Sequence, residues 1–217
     1  MRLVFASNNA HKLEEVRAIM PAGINIMSLR EIGFTEEIDE TGTTLEENSR
    51  IKAAAVAAFV HDRMTECPDA GKIDGVFADD TGLEIDALHG APGVYTARWY
   101  KMECSNVLMM ECSNDDTQIF AANRAKALRE LAGCSDRGAQ FRTVITLIML
   151  SDRSVRQVEG IVRGRIADEE YGEGGFGYDP LFIPDGYDKT FGELPSSVKN
   201  VISHRSRALQ ALVNTLQ

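Results

Sequence analysis

The 217-residue chain has no long apolar run and few cysteines. No segment approaches the ~20 apolar residues that a membrane-spanning helix requires. The N-terminal stretch MRLVFASNN is too poor in apolar residues for a secretory signal and has the pattern of a first strand. None of the four cysteines shows Cys-x-x-Cys spacing, so neither a zinc site nor a disulfide framework is indicated. We therefore expect a soluble cytoplasmic protein with reduced thiols.

Basic residues are also in the minority, with 23 Lys and Arg against 33 Asp and Glu, which gives a formal net charge of -10. Proteins that track the phosphates of DNA or RNA need a basic surface, so a nucleic acid polymer is disfavoured as a partner. A small anionic ligand remains compatible with this charge. It would require a local cluster of Lys, Arg and helix N-termini together with a divalent cation.

Strand and helix patterns follow one another along the chain without strict alternation. Strands are predicted at RLVF, INIMSL, GVFADD, LEIDAL, FRTVITLIML and SVRQVEGIVRGRI, the last two forming a hairpin around SDRS. Helices are predicted from Ala10, from the capping box of Thr44 and Glu47, over 117–132 and from Ser203. We therefore expect an α/β (α+β) fold with a mixed sheet, in a single bilobed domain over residues 1–217.

An exact repeat, MECSN, occurs at 102–106 and again at 110–114. A lid or partner loop is one interpretation. We favour a short duplication that lengthens a surface loop, because the entropy cost of closing a loop grows slowly with its length.

The turn SNNAHK, residues 7–12, lies where the first predicted strand passes into a helix. Backbone N–H groups and the helix dipole at such a turn attract phosphate, and Lys12 adds positive charge. The glycines of a Walker loop are missing. Taken alone, the segment is more typical of an ordinary helix cap followed by a solvated lysine.

The segment GEGGFGYDP, residues 172–180, contains a formal G-x-G-x-x-G pattern. A dinucleotide-binding fingerprint must open a helix, whereas this segment leads into the extended LFIP, so we reject a Rossmann site. Phe176 and Tyr178 beside the glycines could offer a stacking face to a base. A tight turn with a packed aromatic side chain explains the same residues equally well.

The start of the last predicted helix, ISHRSRAL, carries His204 and Arg205 where positive charge opposes the helix dipole. Such local conflicts often mark functional sites, and donors at this position could bind an acceptor on a ligand. Lys199 lies shortly upstream. A solvated basic helix start is the competing interpretation.

Four further polar residues are candidates of the same ambiguous kind. Asn48 and Lys52 are four residues apart and therefore neighbours on one helix face. Glu40 lies in the glycine-containing turn DETG and could reach a metal ion, and Arg98 lies in GVYTARWY. Each of them alone is usual on a protein surface.

The adjacent carboxylates of Asp79 and Asp80 follow an apolar strand. Neighbours on a strand point to opposite faces, so a face-to-face carboxylate dyad requires the strand to have ended. We expect one aspartate to act as a base or Mg²⁺ ligand and the other to be held in hydrogen bonds, since Mg²⁺ takes one or two carboxylates. The haloacid-dehalogenase motif D-x-D-x-T is excluded because its spacing fails here. The chain is expected to turn away at Thr81-Gly82.

Together the blocks ASNNAHK, DETG…EENSRIKA, FADDTGLEIDALHGAPGVYTAR, GGFGYDPLF and KNVISHR resemble the inosine triphosphatase family, in the family's order. The resemblance implies a long mixed β-sheet flanked by helices, with two lobes and a central cleft, in a homodimer. It also implies Mg²⁺-dependent cleavage of ITP, dITP and XTP between the α and β phosphates, giving the monophosphate and pyrophosphate.

The same resemblance implies roles for individual residues. Asp80 matches the proton acceptor and a metal ligand, and Glu40 the second metal contact. The substrate-binding positions are Ser7, Asn8, Asn9, Ala10, His11, Lys12, Lys52, Thr81, Phe176, Gly177, Tyr178, Asp179, Lys199, His204 and Arg205. The chain departs from the family's Thr-Gly-Asn turn at Ser7-Asn8-Asn9, where we expect Asn8 to tolerate left-handed backbone geometry.

Two other functions are compatible with these motifs. One is a Maf-type pyrophosphatase acting on modified pyrimidine triphosphates, and the other is a nucleotide-binding protein without turnover. Asp80, Glu40 and the three lysines favour hydrolysis. In the favoured hypothesis, Asp80 accepts a proton from the water that attacks the α-phosphorus, and His204 or Arg205 donates to the 6-oxo group of the base.

Overall fold

The computed structural model describes residues 1–66, 72–101 and 115–216, so the MECSN repeat lies outside the described residues. The helices and strands, in chain order, are β1 (Arg2–Phe5), α1 (Ala10–Ile19), β2 (Asn25–Met27), α2 (Leu29–Ile32), α3 (Leu45–Glu66), β3 (Gly75–Ile85), β4 (Pro92–Gly93), α4 (Asp116–Glu130), β5 (Gly138–Met149), β6 (Val155–Ile166), β7 (Phe182–Pro184), α5 (Ser196–Ile202) and α6 (His204–Thr215).

The strands of the described ranges form a seven-stranded sheet in the order β2-β1-β3-β5-β6-β7, with β4 beside β3. Strand β1 is parallel to β2 and to β3. Strand β4 is antiparallel to β3, and β7 is antiparallel to β6. This mixed sheet with flanking helices confirms the predicted fold class. Within the described ranges, no helix combines the length and the apolar character needed to cross a membrane.

The chain divides into two compact units. Unit 1 comprises Met1–Asp80, Thr143–Gly160 and His204–Gln217. Two hydrophobic clusters build its core: Val76 and Ala78 of β3 pack with α2 and α3, whereas Phe77 packs with α1 and α6. These assignments follow from the alternation of side chains along a strand. Asp79 and Asp80 are the next two residues of the same strand, so their side chains also point to opposite faces of the sheet.

Unit 2 comprises Thr81–Arg142 and Ile161–Ser203. Its core is built from strand and helix residues of its own, among them Leu83, Ile85, Ala127, Leu131, Phe141, Val162, Phe182 and Phe191. The long strands β3, β5 and β6 each contribute one part to either unit.

Strand β3 is one continuous element, so the prediction of two strand segments separated by a turn at Thr81-Gly82 was wrong. Beyond Asp80 the strand pairs with β4, where Leu83 is opposite Gly93. The Leu83 N–H donates to the Thr96 hydroxyl at 2.8 Å, which also holds this part of the strand extended.

The starts of α3 and of the last helix were both predicted from the sequence. The capping box is confirmed: the Glu47 N–H donates to Thr44 Oγ1 at 3.1 Å, and Glu47 Oε2 accepts from the Thr44 N–H at 3.3 Å. The short helix α5 was not predicted. Ser203, expected to start the last helix, is the C-cap of α5, and α6 begins one residue later at His204.

Glycine is required at position 160, where β6 meets the first turn of α6. A Cβ at Gly160 would overlap the His204 carbonyl oxygen and the Ala208 nitrogen, which are backbone atoms and not mobile side-chain ends. We expect Gly160→Ala to lower the free energy of unfolding by about 1–3 kcal/mol, because α6 must shift away from the strand.

Urea denaturation followed by circular dichroism measures this effect. Val155→Ala is the matched control, because Val155 is an exposed residue of the same strand. Its expected change is within about 0.5 kcal/mol. Equal stabilities for the two variants would contradict the close packing of α6 on Gly160.

Candidate active site

Asp79 and Asp80 lie next to each other on β3, and both are buried, with exposed fractions of 2% and 7%. Their partners come from different elements, as the alternation of the strand requires. Asp79 bonds residues of α1 and α6, whereas Asp80 bonds a residue of α3. The prediction that the two carboxylates do not form a face-to-face dyad agrees with this geometry. The two carboxylates point to opposite faces because β3 continues through both residues.

The Asp79 carboxylate joins two cations. Lys12 Nζ donates to Oδ1 at 2.9 Å, and Arg205 Nε donates to Oδ2 at 3.1 Å. Burial alone would raise the pKa of Asp79, but Lys12 and Arg205 outweigh it and hold this pKa well below its ordinary value. Asp79 is therefore ionised and serves to hold Lys12 and Arg205 in place.

Arg205 lies in the first turn of α6 and also donates through Nη1 to Glu15 of α1. Its charge opposes the helix dipole, and the carboxylates of Asp79 and Glu15 compensate for this conflict. The interpretation of a solvated basic helix start does not hold for His204 or Arg205, because both are buried, with exposed fractions of 5% and 6%. Their role in binding a base stays a prediction.

Asp80, Lys52 and Glu40 form a second group in unit 1. Lys52 Nζ lies 2.8 Å from Asp80 Oδ1 and 3.1 Å from Glu40 Oε1. Burial raises the pKa of Asp80 above its ordinary value even though Lys52 is adjacent. Burial disfavours the charge of Lys52, but Asp80 and Glu40 outweigh it and raise the pKa of the lysine. The group thus holds a charged ammonium between two carboxylates.

The predicted phosphate-binding turn has the local geometry of a helix cap. Asn9 caps α1, because its Oδ1 accepts from the Lys12 N–H at 3.0 Å, and its own N–H donates to Ser7 Oγ at 3.2 Å. Lys12 itself is not solvated, since its ammonium bonds Asp79. Burial, reinforced by the charges of Arg205 and Lys52, lowers the pKa of Lys12.

The backbone at Asn8 differs from the expectation. Among the described residues other than glycine, positive φ occurs at His89 and Arg153, so Asn8 does not use left-handed geometry. The turn between β1 and α1 therefore forms without the conformation that favours glycine. The side chains of Asn8 and of His11 are exposed, as is Ala10.

In unit 2, Asp179 organises the glycine-rich loop. Its Oδ2 accepts from the Phe176 N–H and from Lys199 Nζ, both at 2.5 Å. A Cβ at Gly175, where φ is +86°, would overlap the Asp179 carboxylate, so this position requires glycine. The loop leads into β7 and opens no helix, which agrees with the rejection of a Rossmann site.

The aromatic residues of this loop have different surroundings. Phe176 contacts Phe120 edge to face at a centroid distance of 4.5 Å and is partly exposed. Tyr178 is buried in the core of unit 2, and its hydroxyl donates to the Thr96 carbonyl at 3.2 Å. Of the two rings proposed as a stacking face, Phe176 alone is accessible. Gly177 lies between them with positive φ.

In unit 1, Lys12 and Arg205 meet at Asp79. On the other face of the strand, Lys52 pairs with Asp80 and Glu40. Unit 2 brings together Phe176, Asp179 and Lys199. Thr81 follows Asp80 in β3 and is half-buried. Glu15 was not among the predicted site residues. Its spacing of three residues from Lys12 on one helix was the available signal.

The donor set of unit 1 fits a hard divalent cation. Asp80 and Glu40 present carboxylate oxygens to one ammonium group, which shows that both can face the same positive charge. Mg²⁺ typically uses one or two carboxylates and completes its shell with water and phosphate oxygens. Groups of three or more His, Cys, Asp or Glu side chains in metal-binding arrangement are absent from the described ranges.

Known proteins are similar to this chain along nearly its whole length. The sequence model of the Ham1 family matches residues 3–215. Over 217 residues the chain is 42% identical to a dITP/XTP pyrophosphatase of Flavobacterium johnsoniae, with 100% of this chain and 98% of the relative covered. A dITP/XTP pyrophosphatase of Bacillus subtilis is 43% identical over 217 residues, with 99% and 96% covered.

A solved structure gives the same result. The Ham1 protein of Staphylococcus aureus is 35% identical, has a TM-score of 0.79, and the match covers 100% of this chain and 98% of that one. Sequence and fold therefore match along the full length, and the family resemblance predicted from the motifs is confirmed. The chain belongs to the Ham1 family.

Proposed function

We propose that this chain is a nucleoside triphosphate pyrophosphohydrolase that cleaves ITP, dITP and XTP between the α and β phosphates. The products are the nucleoside monophosphate and pyrophosphate. The names of the relatives support the substrate class. The observation that carries the proposal is Asp80, a buried carboxylate held 2.8 Å from Lys52 Nζ, with Glu40 on the same ammonium.

Asp80 acts as the general base in this proposal. It accepts a proton from the water that attacks the α-phosphorus. A base works best when its pKa is close to the working pH, and burial raises the pKa of Asp80 in that direction. Lys52 keeps the carboxylate oriented, since its ammonium is anchored a second time by Glu40.

Lys12 and Lys52 supply positive charge to the triphosphate, and we propose Lys199 of unit 2 for the same purpose. Hydrolysis at phosphorus depends mainly on positioning and on stabilising negative charge. Asp80 and Glu40 would hold Mg²⁺, which when bound supplies further positive charge to the phosphate oxygens. We propose Mg²⁺ as the cofactor because carboxylates are ligands that it prefers.

We propose that hydrogen-bond donors of unit 1 and one aromatic ring of unit 2 recognise the base. His204 or Arg205 donates to the 6-oxo group of hypoxanthine or xanthine, where adenine presents an amino group. A site that leaves buried polar groups unpaired rejects an analogue by about 10⁴-fold or more. In unit 2, Phe176 offers its partly exposed ring to a purine, supported from behind by Phe120.

We also propose that the enzyme is a homodimer and that it works in the cytoplasm, where it removes non-canonical purine nucleoside triphosphates from the nucleotide pool. Light scattering coupled to size-exclusion chromatography tests the assembly. A mass near twice 23.9 kDa supports the dimer, and a mass near 23.9 kDa contradicts it.

One assay tests the proposed activity. Purified protein with Mg²⁺ is incubated separately with ITP, dITP, XTP, GTP, dATP and a modified pyrimidine triphosphate, and pyrophosphate and orthophosphate are measured. We expect pyrophosphate from ITP, dITP and XTP. Pyrophosphate from the pyrimidine alone would indicate a Maf-type substrate range. Orthophosphate as first product would show that the wrong bond was assigned, and no product at all would indicate a binding protein.

A further inference from the structure

Asn48, in the first turn of α3, is fully buried yet only half of its amide group is satisfied. Its Oδ1 accepts from the Gly42 N–H at 2.8 Å. Its Nδ2 is buried and has no hydrogen-bond partner among the described residues. The orientation of the amide is determined, because the Gly42 N–H is a donor and must face an acceptor.

The backbone around Gly42, which Asn48 holds, lies tightly against the start of α3. A Cβ at Gly42 would come within 2.6 Å of Asn48 Oδ1 and 2.7 Å of Glu47 Cβ, so a side chain does not fit there. The next two backbone N–H groups, those of Thr43 and Thr44, donate to Glu47 Oε2 at 2.7 and 3.3 Å. The side chains of Glu47 and Asn48, which are consecutive in α3, therefore fix the backbone of residues 42–44.

Glu40 is two residues before Gly42 and belongs to no helix or strand. Its carboxylate contacts Lys52 Nζ at 3.1 Å. Asn48 and Lys52 are four residues apart on α3 and thus share one helix face. This face of α3 holds the segment from Glu40 to Gly42 at two points. Asn48 bonds its backbone at Gly42, and Lys52 contacts the carboxylate of Glu40.

A buried amide with an unpaired donor is unfavourable, so the residue type needs a reason. Leucine has the same number of side-chain heavy atoms and no unpaired donor, but it would not accept from Gly42. Aspartate would accept from Gly42, but it would place an ionisable carboxylate at a fully buried position. Asparagine is the neutral acceptor of the right length.

We propose that Asn48 is a positioning residue that sets the place of the Glu40 carboxylate relative to Lys52 and Asp80. It acts through Gly42, since protein atoms cover its Nδ2 and a substrate does not reach it in this conformation. The inference deepens the proposed function and rests on it, because the position of Glu40 matters only if that carboxylate serves hydrolysis.

The first test does not depend on activity. Hydrogen exchange of the Gly42 amide, followed by NMR, reports the bond to Asn48 directly. We expect Asn48→Leu to accelerate this exchange by about tenfold or more, and Asn48→Asp, which keeps an acceptor, to retain slow exchange. Asn48→Ala removes the acceptor without adding bulk and is measured in parallel. Unchanged exchange in both the leucine and the alanine variants would overturn the inference.

The second test is a double-mutant cycle with Glu40→Gln, measured as kcat/KM on ITP. We expect Asn48→Leu to lower kcat/KM by about 10- to 100-fold, the range that a displacement near 1 Å can produce. The double variant should lose little more than Glu40→Gln alone, because Asn48 acts through Glu40. Additive losses would contradict that role.

Ser49→Ala is the matched control. Ser49 is the next residue of α3, is equally buried and bonds Thr146 of β5. Its loss should lower stability without changing Gly42 exchange and without coupling to Glu40. If the wild-type chain hydrolyses ITP and the cycle is additive, the inference alone fails. If the wild-type chain does not hydrolyse ITP, the proposed function fails, and the exchange data still report whether Asn48 holds the segment.

Discussion

Asp80→Asn is expected to lower kcat on ITP by about 10²–10⁴-fold while the protein stays folded. The substitution keeps the shape of the side chain and removes the oxygen that accepts the proton. The fold should persist, because burial disfavours the ionised form of Asp80 and Lys52 keeps Glu40 as a partner. Pyrophosphate release measures kcat, and a thermal melt measures stability.

The control for this variant is Asp86→Asn. Asp86 lies just beyond the end of the same strand and pairs with Arg163 in an exposed ion pair. Exposed pairs contribute about 0–1 kcal/mol, so this variant should keep nearly full activity and stability. Hydrolysis by folded Asp80→Asn at the wild-type rate would remove Asp80 from the role of general base.

Local patterns in the sequence were sufficient to predict several features. The alternation of a strand placed Asp79 and Asp80 on opposite faces, and the structure has Asp79 with α1 and α6 and Asp80 with α3. The capping box of Thr44 and Glu47 depends on residues three apart, and the structure contains it. These features are determined by neighbours in the chain, so a single sequence reveals them.

The continuity of β3 could not be predicted in the same way. The strand was expected to end at Asp80 and to turn at Thr81-Gly82. In a strand that continues into the core, buried charges are costly when they are unpaired. Their cations lie 28, 67 and 126 residues away in the chain, at Lys52, Lys12 and Arg205. Only the folded arrangement of α1, α3 and α6 brings these side chains to the strand.

The short helix α5 was missed for a related reason. It has seven residues, its N-cap is Pro195, and no side chain caps its start. Sequence signals for helices depend on capping residues and on apolar periodicity over longer windows. Asn48 was recognised as a neighbour of Lys52, but its bond to the Gly42 backbone depends on the path of an irregular segment. Such a path carries no period in the sequence.

Asp79→Asn is expected to lower the free energy of unfolding at pH 7 by about 3–5 kcal/mol, the cost of leaving buried cations without their partner. Lys12 and Arg205 would both lose a carboxylate. Arg205 keeps Glu15 as a partner, so the lower end of the range applies. Urea denaturation measures the difference from the wild type.

The pH dependence of this difference identifies its cause. The pKa of Asp79 is depressed in the folded protein, so its contribution to stability is present above its ordinary value of 3.8 and is lost as the pH falls through the folded pKa. The difference in free energy of unfolding between wild type and Asp79→Asn should therefore be full at pH 7 and should narrow below about pH 4.

Replacing Lys12 by methionine in the Asp79→Asn background removes one unpaired cation and should restore part of the stability. A gap that is independent of pH, without any rescue by the second substitution, would show that Asp79 stabilises the protein by packing and not by charge.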